Sequence, residues 1–172
     1  MAVSNERELA CVLVALHDRQ VLLPNVTVAE VVRMQRIQPV NNAPDWLVGM
    51  ISWRGKLLPV LSLEAVLADR GDPPPPAASP GCSLLVMNRS RPMDGLEFYA
   101  VLVRSMPRML WVAVEDLAVV DGPLAAAEAA RIRVGEDEVT VPRLPYLEEL
   151  VVQNRLHDRK LQKTVNRPRP RA

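Results

Sequence analysis

Aromatic side chains are scarce in this chain of 172 residues: three Trp, two Tyr and one Phe, or 3%. A core must therefore be packed from Val, Leu, Ile and Met. Cysteine is scarcer still. Cys11 and Cys82 have no CxxC spacing, so neither a disulfide framework nor a zinc site is indicated. The two histidines, His17 and His157, each precede an aspartate. Metal phosphohydrolase chemistry would need further His and Asp ligands, and His17 falls in a predicted β-turn. No GxGxxG, P-loop, GxSxG or HExxH occurs, and no nucleophile stands beside a base. No apolar run reaches the roughly 20 residues needed to cross a bilayer. The polar start, Met1 to Glu8, does not read as a signal peptide. These absences argue against an enzyme, a metal site, a cofactor or membrane insertion, and they place the protein in the cytoplasm.

What is present describes a folded globule: 49% hydrophobic and 24% charged residues. The net charge of +1 is unevenly spread. Residues 155–172 hold seven basic residues and one acid, leaving the body at about −5. Arg167-Pro168-Arg169-Pro170-Arg171 cannot be helical, because alternating prolines remove donors and restrict their neighbours. The segment reads as a basic tail. Binding of nucleic acid or a membrane surface through it is the alternative functional reading. It lacks the interleaved aromatics that base stacking requires, so no nucleic-acid partner is expected.

Of the 16 prolines, four are consecutive, in Asp69-Arg70-Gly71-Asp72-Pro73-Pro74-Pro75-Pro76-Ala77-Ala78-Ser79-Pro80-Gly81. This stretch, 69–81, reads as a semi-rigid linker between subdomains of about 8–68 and 83–152. A proline-rich ligand for an SH3 domain is the other reading of it. Each half reads as β-rich. In the first, Leu9 to Leu16 and Gln20 to Leu23 form a hairpin, and Leu47 to Trp53 and Leu57 to Leu61 form strands around Arg54-Gly55-Lys56. Gly55 suits a positive φ there. Thr27 is expected to cap a short helix through Val32, and Ser62 one from Leu63 to Ala68. In the second, strands are expected at Leu84 to Arg89, Leu96 to Val103, Pro107 to Val114, Ile132 to Val134 and Glu138 to Val141. A helix follows from Tyr146, and Pro123 to Ala130 is a short helix or a loose connection. Leu63-Glu64-Ala65-Val66 aligns with Leu147-Glu148-Glu149-Leu150 at an offset of 84, consistent with a duplicated β-module.

With no catalytic group in view, a binding surface is the natural reading. Arg54 at a hairpin tip is awkward for a core and suited to a contact, since guanidinium pairs with carboxylate in two places and keeps its charge. Trp53 beside it has the chemistry of interface hot spots.

The run Glu30-Val31, then Asn42 to Leu63 (NAPDWLVGMISWRGKLLPVLSL), resembles CheW-like chemotaxis coupling proteins. Their pattern is roughly E-V, then N-x-P-x-x-x-x-G-h-x-N-h-R-G-x-h-h-P-h-h-D-L, with h apolar. The Gly49, Arg54-Gly55, Pro59 and Leu63 spacing is a rare combination. The resemblance implies a mainly β fold of two small SH3-like five-stranded β-barrels with short helices, forming one CheW-like domain over residues 1–168. It implies an adaptor whose partners are the regulatory domain of a CheA-type histidine kinase and the cytoplasmic tip of a methyl-accepting chemoreceptor. It brings Val28, Glu30, Gly49 and Gly55 into the partner-binding stretch with Trp53 and Arg54. Ser52 stands for the usual Asn, Ser62 for the usual Asp, and Arg104 lies near another usual Asp. These departures are similar to the accessory members of type IV pilus chemosensory systems (PilI- or ChpC-like), which control twitching motility.

Overall fold

A computed structural model describes residues 7–69, 72–93 and 95–154; the basic tail lies outside the described residues. The fold is mainly β, as expected. Strands β1 (Glu8–Ala15), β2 (Gln20–Pro24), β3 (Val28–Arg33), β4 (Leu47–Trp53) and β5 (Lys56–Ser62) are followed by helix α1 (Leu63–Leu67). Strands β6 (Ser83–Met93), β7 (Leu96–Val103), β8 (Arg108–Ala113), β9 (Leu117–Val119), β10 (Glu128–Val134) and β11 (Asp137–Pro142) lead to helix α2 (Leu144–Gln153). They form two curled sheets, one in the order β8-β1-β2-β11-β10-β9 and the other β3-β6-β7-β5-β4. The first carries the short β9 beyond five strands.

The strands do not divide at the proline-rich stretch. One sheet is built wholly from residues 28–103, and the other from the strands on either side of them. The division into 8–68 and 83–152 is therefore corrected, and residues 69–81 do not link two barrels. The reason is the parallel pairing of β5 with β7, which sets Val60 opposite Ala100. Parallel neighbours cannot be joined by a tight turn; they need a long crossover. Here the crossover contains α1, the proline stretch and β6.

The duplication is nevertheless present in three dimensions. The order β3-β6-β7-β5-β4 is matched by β8-β1-β2-β11-β10, with the same antiparallel and parallel pairings. Each sheet thus takes one hairpin from one repeat and its remaining strands from the other. Three apolar clusters result. Cys11, Leu13, Leu22, Val112, Ile132 and Val139 fill one curl. Ile51, Trp53, Leu58, Val60, Val86 and Leu102 fill the other. The largest lies between the sheets and takes in Leu63 of α1 and Leu147 of α2.

The two helices are clasped by buried glutamates rather than by dipole effects alone. Glu64 accepts the His17 backbone N–H at 2.6 Å. Glu148 accepts from the Ser90 backbone N–H and, at 2.8 Å, from the Ser90 hydroxyl. These are the residues aligned at the offset of 84, and each reaches a hairpin of the opposite sheet. Ser62 caps α1 by accepting the Ala65 N–H at 3.2 Å.

Arg104 completes the α1 clasp. Its Nε donates to Glu64 Oε1 at 2.7 Å, and a second nitrogen pairs with Oε2. It also donates to the carbonyls of Pro76 at 2.7 Å and Ala77 at 3.0 Å. The hydrogen bond from Arg104 to Glu64 raises the arginine's pKa above its ordinary value against the opposing cost of burial.

Two local expectations fail. Residues 28–33 are a strand, not a helix capped by Thr27. Val28, Val31 and Val32 are stiff at χ1 and find partners on β6. Thr27 instead donates to the Pro24 carbonyl at 2.7 Å in a 3₁₀ turn. Strand β10 begins at Glu128, inside the stretch read as a helix or loose connection.

Candidate functional site

The β4–β5 hairpin is closed by Arg54 and Gly55 alone, with φ of 47° and 74°. A two-residue turn with both φ positive matches the right-handed twist of the strands it joins. Glycine adopts this freely. Arginine pays about 1–2 kcal/mol in that region, so the fold did not select it for the turn.

Its side chain is held from beneath. Arg54 donates to Glu30 Oε2 at 2.9 Å. The same oxygen accepts the Trp53 indole N–H at 2.9 Å. The guanidinium carbon lies 4.8 Å from the Trp53 ring centroid, within cation–π range. Trp53 packs edge-on against Phe98 at 4.9 Å. Lys56 sits 5.2 Å over Phe98 and pairs with Glu97. The Arg54 side chain is nonetheless 70% exposed. A strand bulge between Val28 and Glu30 brings Glu30 here, setting it opposite Val86 while Val28 stays opposite Met87.

The structure therefore gathers Glu30, Trp53, Arg54 and Gly55 at one hairpin. Val28 is half-buried against the cluster between the sheets. Gly49 is buried, and its place is one of packing: a Cβ there would lie 2.4 Å from the Gln38 carbonyl oxygen. Trp53 is only 8% exposed, so it acts as the seat for Glu30 and Arg54 rather than as a surface anchor.

Stability offers a test of why arginine occupies the tip. Arg54→Asn should fall within about 0.5 kcal/mol of wild type in urea unfolding. Relief at φ 47° offsets an exposed ion pair worth about 1 kcal/mol at most and a cation–π contact of similar size. A loss beyond about 2 kcal/mol would make Arg54 a structural residue.

Sequence reasoning missed a second surface. Edge strand β8 exposes Met109 at 58% and Trp111 at 69%. Met109 lies opposite Val12 and Trp111 opposite Ala10, so both face the side on which Val12 enters the cluster between the sheets. Val31 on edge strand β3 is exposed in the same way, opposite the buried Leu85. The available signal was the alternation of Met109 and Trp111 with the inward Leu110 and Val112. Among the described residues no group of His, Cys, Asp and Glu could hold a metal ion, and no helix is long and apolar enough to cross a membrane.

The CheW-like domain profile matches residues 10–142. The scaffolding protein TtCheW from Thermoanaerobacter tengcongensis superposes with a TM-score of 0.64 at 16% identity, over 84% of this chain and 90% of that one. A search of curated proteins found no match. The profile spans the strands from β1 to β11, hairpin tip included, and on that extent the chain belongs to the CheW-like family, a family of scaffolding adaptors rather than enzymes.

Proposed function

We propose that this protein couples the cytoplasmic tip of a chemoreceptor to the regulatory domain of a CheA-type histidine kinase. The observation that carries the reading is an exposed guanidinium on a rigid support. Arg54 keeps donors free for a partner carboxylate, while Glu30 and the buried Trp53 fix where they point. Gly55 adds no side chain to obstruct approach. Val28 and Gly49 act beneath that surface, Val28 packed against the cluster between the sheets and Gly49 closely apposed to the Gln38 carbonyl. An adaptor needs more than one surface, and the apolar edge at Met109 and Trp111 offers a second on the other sheet, with the aromatic chemistry of interface anchors.

We further place it in the cytoplasm among the accessory couplers of type IV pilus systems, on the strength of Ser52, Ser62 and Arg104, so the readout in cells is twitching. Binding of wild type and Arg54→Glu to a purified kinase regulatory domain and to a receptor-tip fragment tests the coupling role. Charge reversal should cost roughly 2–5 kcal/mol with at least one of them. Equal binding by both proteins, or none by wild type, would remove the reading.

A further inference from the structure

An open sheet edge invites another strand, and folded chains usually blunt it. Strand β9 is blunted by being three residues long. Strand β4 is covered by Gln38, which exchanges two backbone hydrogen bonds with Met50 at 2.8 Å each. Strand β3 is bulged and carries Glu30 and Arg33. Strand β8 has none of these devices. It pairs with β1 without a bulge, from Arg108 opposite Leu13 to Ala113 opposite Glu8. Among the described residues no strand pairs with its other side.

One hydrogen bond fixes which backbone groups face outward. Val114 N–H donates to the Arg7 carbonyl at 2.9 Å, one step beyond the pair of Glu8 with Ala113. Hydrogen-bonded pairs alternate along an antiparallel ladder. Leu110 and Val112 therefore turn their N–H and C=O to β1, while Met109 and Trp111 turn theirs away from it.

This edge is its own complement. A second copy laid antiparallel along β8, with the two-fold axis at Leu110, sets Met109 opposite the second copy's Trp111 and Trp111 opposite its Met109. Both are pairs whose backbone groups face one another, so each exchanges both ladder hydrogen bonds. Each also brings a thioether against an indole across the strands. Just beyond the strand, Met106, 60% exposed, falls opposite Val114, 50% exposed, in the same register. Every exposed large apolar residue between positions 106 and 114 thus meets another. Moving the axis to Trp111 would instead waste Met109 on Ala113.

We propose that β8 is a dimer edge, joined two-fold to β8 of a second copy of this chain through the pairing of Met109 with Trp111. The inference goes beyond the coupling role and does not rest on it. The Arg54 hairpin belongs to the other sheet, so the dimer carries two of them.

A single strand edge buries less than the roughly 800 Å² per partner of a standard interface, so the dimer should be reversible. Sedimentation of the purified full chain, without kinase or receptor, tests this from about 5 μM to about 500 μM. Wild type should pass from monomer to dimer across that range. Met109→Glu and Trp111→Lys should each associate about tenfold more weakly or worse. Both side chains are exposed, so each variant should melt within about 2 °C of wild type. An equimolar mixture of the two variants should regain the dimer. The introduced carboxylate then faces the introduced ammonium, while the remaining Trp111 and Met109 face each other. Wild type that stays monomeric throughout, a dimer that neither variant weakens, or a mixture that regains nothing would overturn the proposal.

Discussion

Arg104→Met is expected to lower the unfolding free energy by about 3–5 kcal/mol in urea titration. The Glu64 side chain is 5% exposed and that of Arg104 15%, so water cannot take over the lost contacts. Removing the guanidinium leaves a buried carboxylate with only the His17 N–H from this set of partners. It also frees the carbonyls of Pro76 and Ala77. The double variant Glu64→Leu/Arg104→Met should recover much of the loss, because replacing both members of a buried pair by apolar groups is often near neutral. A single variant within about 1 kcal/mol of wild type would show that Arg104 does not hold α1 to the β1–β2 hairpin.

Gly49→Ala should be nearly as damaging, at about 2–4 kcal/mol. The added methyl would meet the Gln38 carbonyl oxygen at 2.4 Å and Ile37 Cγ2 at 2.6 Å. Neither distance is tolerable, and only the isoleucine could turn aside. Gln38 is fixed by two backbone hydrogen bonds to Met50, each 2.8 Å, so retreat costs both. The φ of 153° adds strain for any residue with a Cβ. Ile37→Ala/Gly49→Ala should therefore fail to restore stability. Recovery to wild type would place the clash on the side chain instead of the carbonyl.

What could be seen in advance was what local sequence decides. The hairpin at Arg54-Gly55 was legible because a glycine between two continuous apolar runs has few other uses. Ser62 as the α1 cap and the break between the strands ending at Val134 and starting near Glu138 were legible on the same local grounds. The exchange of hairpins between repeats was not. It is decided by pairings between distant residues, Val21 with Thr140 and Val60 with Ala100, that leave no local trace. Four prolines in a row look the same whether they separate domains or cross one sheet. At the site, Arg54 was found through its charge and setting. The roles of Glu30 and Trp53 depended on a strand bulge and on which sheet face each side chain meets. Arg104 stood out only as a departure, although it pairs with Glu64, 40 positions away.

The hairpin exchange also bears on how the molecule is made. Strands β3 to β7 can close on one another once Val103 has left the ribosome, since every partner is already synthesised. The β1–β2 hairpin, made first, must wait for β8 and β11 before it is flanked on both sides. Through that interval Cys11, Leu13 and Leu22 have no curl to fill, and two strand margins stand open to stray pairing. The nascent chain is thus most open to mispairing at that hairpin until β8 and β11 arrive, which makes it the segment to shield during translation.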